Sequence, residues 1–538
     1  MIRLENISKI YATDVVLKDI NWEVKTGDKI GLVGSNGAGK TTQLRILIGD
    51  EEQTSGFIRK EGNPKIAYLK QEFEFQFKNT LRQELESSFT EIQAISSELF
   101  KIEQKLKLTE LINNKKELDF LINKLGIYQR KYELLGGYQM KSEVEKVLPV
   151  LGFSKSDADQ LVENFSGGWQ MKIALGKIIL QKPDLILLDE PTNHLDLDTI
   201  KWLEEYLLSI KTAIILISHD RYLLDKLCNK IIFIEDGVSS TYRGNYSNFI
   251  DKKTLDERAK NKAFQLQQKS LESQKKYIER FRASATRSTQ AKSREKQIDK
   301  IEKISESVKI KKTPTFNFAE SSSSGKEILD IKNLCHSYDD NLIFFEANMK
   351  VNSGDKIAFL GPNGSGKSTL FKLIMKRLKP ELGEVSLGNH NLITSYYEQN
   401  QAEALELDKT VLELIFENLP SWSQQRVRSF LGGFGFKGES VFKKVINLSG
   451  GEKARLALSL IVIQPSNVMF LDEPTNHLDM KSKENLELAL KQYKGTIFLI
   501  SHDRYFISKV ANRIVEIKDF QFHSFDGDYE YYLHKKDI

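Results

Sequence analysis

The chain has 538 residues, 40% of them hydrophobic and 28% charged, with a formal net charge of +5. That length exceeds what one hydrophobic core organises, so two or more domains are expected. Two cysteines in unlike contexts, Cys228 and Cys335, argue against a disulfide framework, a zinc site or an iron–sulfur cluster.

The opening MIRLENISKIY has no apolar signal core. No apolar run approaches the roughly 18 residues that cross a bilayer, so a cytoplasmic chain without an integral membrane segment is expected. The first apolar strand, KIGLVG, runs into Gly34, Ser35, Asn36, Gly37, Ala38, Gly39, Lys40 and Thr41, then Thr42 and an apolar helix. This is a G-x-x-x-x-G-K-[ST] loop. Its glycines let backbone N–H groups turn inward around phosphate oxygens, Lys40 is placed to reach the β/γ-phosphates, and Thr41 to ligate Mg²⁺.

A helical arm is predicted over about 80–138. Ile92, Ile95, Leu99, Ile102 and Leu106 step 3-4-3-4, INN offers a turn, and Leu118, Leu121, Leu125, Tyr128 and Tyr132 continue the pattern. Two antiparallel helices zipped along an apolar seam follow from that spacing, and a 20-residue helix reaches about 30 Å. FSGGWQ (165–170) then sets Ser166, Gly167 and Gly168 at a helix N-terminus. A hydroxyl, close backbone approach and a positive helix end all suit phosphate. Asp189 ends an apolar strand and suits a Mg²⁺-holding carboxylate; Glu190 beside it is placed to polarise an attacking water. His219, after AIILIS, is placed to contact the γ-phosphate and orient that water.

From Asp251 to Lys312 there are 19 Lys/Arg against 9 Asp/Glu. The stretch has no Gly or Pro and is predicted mostly helical, with ASATRST as a bend between two helices. Arg280, Arg282, Arg287, Lys292, Arg294 and Lys296 crowd this segment and suit a polyanion, bound through its phosphates in a salt-dependent way. Tyr277 and Phe281 read as packing residues between the linker helices. TPTFNFAESSSSGKE (313–327) reads as an extended, flexible connection.

The chain then repeats itself. Gly361, Pro362, Asn363, Gly364, Ser365, Gly366, Lys367, Ser368 and Thr369 form a second phosphate loop, with Ser368 placed on Mg²⁺. Ser449, Gly450 and Gly451 in LSGGEK, Asp472, Glu473 and His502 match their first-half counterparts at one offset, 283. The lysines are offset by 327, so the first copy holds an insertion of about 45 residues, where the arm lies.

With these loops, strand-end acids and Ser-Gly-Gly motifs, the chain resembles a pair of ATP-binding cassettes. The resemblance implies an α/β fold of two tandem P-loop cassette domains, 1–250 and 328–538, with the arm in the first and a helical linker, 251–312, between them. It implies ATP and Mg²⁺ as cofactors, ATP hydrolysis, and composite sites that pair Lys40 with Ser449 and Lys367 with Ser166. Tyr11 and Tyr338 match the adenine-stacking aromatic, and Gln71 and Gln399 the Mg²⁺- and water-sensing glutamine. Phe165 and Trp169 depart from the commonest signature, which bears on rate more than on binding.

Two cassettes with a hairpin arm and a charged linker on one chain resemble the ABC-F family over nearly the whole length. KKYIERFRASATRSTQAKSREKQIDKIEK is similar to that family's linker. The resemblance implies a monomer with intramolecular cassette pairing that binds the ribosome, its arm near the E site and its linker toward P-site tRNA. Elongation, rescue of stalled ribosomes, assembly and antibiotic displacement all remain open as the outcome. The rival reading is the ATP-binding subunit of a membrane transporter, which would not need the linker's charge; a DNA-repair cassette ATPase is a third.

Overall fold

The computed structural model describes the chain apart from residues 1, 13, 71–74, 76–77, 108–114, 194, 282–323, 339–340, 389–390, 399–404, 420, 437, 477 and 537–538. The two copies fold alike. Each has a six-stranded sheet and a three-stranded antiparallel sheet. In the first half the large sheet runs Ile66–Leu69, Leu185–Asp189, Ala213–Ile217, Lys29–Gly34, Lys230–Glu235, Val238–Arg243, parallel except at its last strand. In the second it runs Thr394–Tyr397, Val468–Asp472, Thr496–Ile500, Lys356–Leu360, Arg513–Lys518, Gln521–Phe525, again with only the last strand reversed. This is the α/β architecture of two tandem P-loop cassettes.

Parallel strands buried on both faces must be apolar throughout, and LILLD, AIILI, VMFLD and TIFLI are buried at every position. Their side chains alternate between two cores. Ile30, Leu32, Leu187 and Ile215 pack with Leu4 and Ile7 of the small sheet, whereas Val33, Leu188 and Leu216 pack with Met171, Leu175 and Leu203 on the helical side. The carboxyl ends of these strands carry the phosphate loop, Asp189 and His219 to one edge, as parallel α/β sheets do.

The arm seam has the predicted residues inside. In helices Thr90–Leu106 and Lys115–Leu134, Ile92, Ile102 and Leu121 are buried and Ile95, Leu99, Leu106, Leu118, Leu125, Tyr128 and Tyr132 half-buried. The predicted INN turn lies outside the described residues. A 36-residue helix, Tyr246–Phe281, leaves the first half, begins the linker and spans about 54 Å at 1.5 Å per residue. Arg280 falls within it; its side chain, and all of Arg282, Arg287, Lys292, Arg294 and Lys296, lie outside what is described, as do the predicted bend and most of the 313–327 connection.

The halves face each other through paired contacts. Arg504 forms an ion pair with the buried Glu204, and Arg221 bonds Glu484 at 2.8 Å. The Arg221 guanidinium lies 4.3 Å from the Tyr505 ring centroid, and that of Arg504 5.3 Å from Tyr222. Tyr246, at the root of the linker helix, donates to Met480 Sδ at 3.0 Å.

Candidate functional site

The strand Lys29–Gly34 ends in a loop that wraps back on itself before helix Lys40–Ile48. Gly39 has φ +86°, and a Cβ there would stand 2.5 Å from Leu17 Cδ2; Gly366, at φ +90°, is equally confined by Ile343. Only glycine suits both the left-handed backbone and the space. Lys40 and Lys367 are buried, each bonded to carbonyls of its own loop: Gly34 O at 2.9 Å and Ser35 O at 3.0 Å, Gly361 O at 2.8 Å and Pro362 O at 2.9 Å. Burial pulls both ammonium groups below the usual lysine range, and the charges of Glu190, Asp479 and Asp189 around Lys40, and of Glu473, Asp196 and Asp472 around Lys367, oppose it. An anion would complete both lysines.

Thr41 Oγ1 donates to Asp189 Oδ2 at 2.9 Å, and Tyr68 to the same oxygen at 3.2 Å. Burial pushes the Asp189 and Asp472 carboxyls up. A hydroxyl beside a buried carboxylate is an oxygen donor set of the kind Mg²⁺ takes, its remaining positions filled by water and phosphate. Among the described residues no group of three or more His, Cys, Asp and Glu is arranged to hold a metal ion by itself, so an ion held here would draw on oxygens of a bound nucleotide. Thr41 and Asp189 fit Mg²⁺ on these terms, as do Ser368, which hydrogen-bonds Asp472, and Asp472 itself. Gln71 and Gln399 lie outside the described residues.

Glu190 and Glu473 both sit at φ +50°, a left-handed conformation that costs a non-glycine residue roughly 1–3 kcal/mol. The register imposes it: Glu190 N–H donates to Ile217 O and Glu473 N–H to Ile500 O, each at 2.9 Å across the strand ends. The turn aims each carboxylate at a histidine. His219 N–H reaches Glu190 Oε2 at 3.2 Å, with Nε2 3.4 Å from Oε1; His502 repeats both contacts to Glu473 at 3.4 Å. Glu190 Oε1 and Glu473 Oε1 are buried and accept no hydrogen bond. Burial, with the Asp472 charge adding, pushes Glu473 up to about 8, and burial lowers His219 against the pull of Glu190. The Glu190–His219 pair lines the space above the first phosphate loop.

That space is a cavity of about 700 Å³ built from both halves. The first half supplies Tyr11, Asn36, Gly37, Gly39, Lys40, Thr41, Thr42, Asp189, Glu190 and His219; the second supplies Ser449, Gly451, Glu452 and Arg455. Lys40 and Ser449 thus line one cavity. Ser449 begins helix Gly450–Ile463 and forms a reciprocal cap with Glu452, its hydroxyl 3.0 Å from Glu452 Oε2. Ser166 begins helix Gly167–Gln181 without a side-chain cap; Trp169 stands where Glu452 does, so the reciprocal bond has no acceptor, and packs on Phe153 and Lys172.

The second site also draws on both halves, since the charge of Asp196 reaches Lys367. A cavity of about 630 Å³ beside it is lined by Pro362, Asn363, Gly364 and Ser365 with Asp198 of the first half, and includes neither Lys367 nor Ser166. The cross-half contact there is Asn363 N–H to Asp196 Oδ2 at 3.2 Å. Tyr11 and Tyr338 are both partly exposed at strand ends, 44% and 43%. Lys9 lies over the Tyr11 ring, and His336 meets Tyr338 edge-on.

Sequence reasoning missed Val16, Asn193, Arg455, Asp479 and Lys483 near the first site. Asp196 and Asp479 had a signal, since both close the repeated DEPTNHLD motif. Arg455 and Lys483 had none, because they arrive from the opposite half.

Comparison with known proteins fits this geometry. The ABC transporter family model matches residues 17–193 and 344–476, and a second model of the same description matches 232–318. ABC transporter F family member 5 of Arabidopsis thaliana is 46% identical over 537 residues, covering 99% of this chain and 77% of its own. Putative ATP-binding protein YdiF of Bacillus subtilis (strain 168) is 39% identical over 537 residues, covering 100% and 83%. Among solved structures, archaeal ribosome recycling factor aABCE1, in complex with the ribosomal stalk protein aP1, superposes with a TM-score of 0.56 at 19% identity, over 97% of this chain and 88% of that one. At that identity the likeness is one of fold. No helix among the described residues is long and apolar enough to cross a membrane.

Proposed function

The chain belongs to the F group of the ATP-binding cassette family and is an ATPase, and on that premise we propose that it is a ribosome-binding clamp driven by two ATP sites. The observation that carries the reading is the cavity shared by Lys40 and Ser449. Nucleotide seated on one half meets the signature serine of the other, so ATP bridges the halves and stabilises the closed form over the open one.

In this reading Lys40 and Lys367 leave their loop carbonyls for the phosphates. The loop amides of 34–42 and 361–369 cradle those phosphates, and Tyr11 and Tyr338 stack on the base. Thr41 with Asp189, and Ser368 with Asp472, would hold Mg²⁺, which would neutralise phosphate charge when bound; family resemblance assigns Gln71 and Gln399 to sensing it. Glu190 and Glu473 accept a proton from the attacking water, held in place by His219 and His502. Ser166 with Gly167 and Gly168, and Ser449 with Gly450 and Gly451, close over the γ-phosphate from the far side. Hydrolysis removes the bridging charge and lets the halves part.

The linker gives closure a target. Its root touches the second half through Tyr246 and Met480, and the six basic residues between Arg280 and Lys296 suit folded RNA, read through shape and backbone phosphate. We assign the partner as the ribosome, with the arm at the E site and the linker toward P-site tRNA, acting on translation as a cytoplasmic monomer. Support comes from F-group kinship, from the linker's charge, and from a fold shared with a protein described as a ribosome recycling factor.

The test is co-sedimentation with ribosomes. Glu190→Gln/Glu473→Gln with ATP is expected to pellet with ribosomes, and to lose that on neutralising Arg280, Arg282, Arg287, Lys292, Arg294 and Lys296. Recovery in the membrane fraction regardless of linker charge would contradict the reading and support a transporter subunit.

A further inference from the structure

Lys483 lies in the first turn of helix Met480–Gln492, its side chain only 13% exposed. Its Nζ donates to Asp503 Oδ2 at 2.7 Å. Asp503 follows His502 directly and caps helix Arg504–Val510 by accepting from Phe506 N–H at 3.0 Å. Lys483 also lines the first-site cavity with Glu190 and His219, both of the opposite half. An ammonium has three donors and Asp503 uses one. One buried cation therefore bonds the histidine segment of the second site and lines one cavity with the hydrolytic pair of the first.

The mirror position breaks this symmetry. At the offset of 283 Lys483 corresponds to Ile200, which is buried in the first half's apolar core. Asp220, the counterpart of Asp503, instead faces Arg504 at 3.6 Å. An isoleucine offers no hydrogen bond, so position 200 has no counterpart of the Lys483–Asp503 bond.

We propose that Lys483 is a positioning residue that sets Glu190 and His219 for hydrolysis at the first site and ties their geometry to the His502–Asp503 segment, which makes the two sites unequal. It acts through those residues and touches no nucleotide. When the second half's histidine segment shifts, Asp503 moves the ammonium, and the first site feels the change; Ile200 cannot carry the same motion in reverse. The proposal rests on the roles given above to Glu190 and Glu473.

Single-turnover ATP hydrolysis in two backgrounds tests it. Glu473→Gln leaves the first site working and Glu190→Gln the second. Lys483→Met keeps the aliphatic stem and removes the charge. It is expected to slow the Glu473→Gln protein about tenfold or more, with KM for ATP little changed, and the Glu190→Gln protein less than about twofold. Lys483→Arg is expected to restore most of the lost rate. Equal slowing in both backgrounds, which a folding defect would give, overturns the proposal. So does no slowing at the first site, or slowing confined to the second. If Glu190→Gln/Glu473→Gln with Lys483 intact hydrolyses ATP at the wild-type rate, the assignment of the glutamates fails instead.

Discussion

Thr41 and Asp189, 2.9 Å apart, have a consequence that can be measured without altering the fold. A short hydroxyl and a buried carboxylate supply few oxygens, so Mg²⁺ there depends on nucleotide for the rest. Chelation with EDTA is expected to abolish ATP hydrolysis, with full recovery on adding Mg²⁺. Thr41→Ala is expected to raise the Mg²⁺ needed for half-maximal rate by about tenfold or more, measured with wild type at equal ATP. The lysines show a second residue-scale feature: each hydrogen-bonds two carbonyls of its own loop. The loop is therefore held in shape by the group that later binds the ligand.

Among the elements, the arm gives the cleanest case. Leu121 is 7% exposed in a seam that also holds Ile92 and Ile102. Leu121→Ala is expected to loosen the arm by about 2–3 kcal/mol, seen as faster amide exchange in 90–134 while ATP hydrolysis by the cassettes is unchanged. This seam was legible in the sequence because helix packing demands a 3-4 repeat and nothing else in that stretch produces one. The phosphate loops and strand-end acids were legible for a similar reason: the chemistry forces glycine, lysine and a buried apolar run at fixed spacing. The left-handed turn at Glu190 and Glu473 was not, since no glycine marks it and strand register alone imposes it. Nor were Arg455 and Lys483, whose neighbours are several hundred positions away or on the other half. The cap at Ser449 was readable from Glu452 three residues on, and its loss at Ser166 from Trp169.

On the scale of the molecule, closure depends on charges that have left water. Glu204 is 1% exposed and bonded by Arg504 from the other half and by Lys226 at 3.1 Å. Removing one partner of such a pair is costly because the remaining charge stays buried. Arg504→Ala is expected to destabilise the closed chain by about 3 kcal/mol, seen in denaturant unfolding, and Glu204→Gln in the same chain to recover much of that. Recovery would separate the cost of a stranded carboxylate from the loss of contact area.

The account turns on each ATP site being shared between halves, and nucleotide counting tests this most directly. In the Glu190→Gln/Glu473→Gln chain, radiolabelled ATP retained per molecule is measured after adding Ser449→Arg together with either Lys40→Ala or Lys367→Ala. If Ser449 serves the Lys40 site, the pair with Lys40→Ala damages one site twice and leaves one ATP per chain, whereas the pair with Lys367→Ala damages both and leaves none. The reverse pattern, with ATP kept beside Lys367→Ala and lost beside Lys40→Ala, would place each serine with the lysine of its own half and contradict the account.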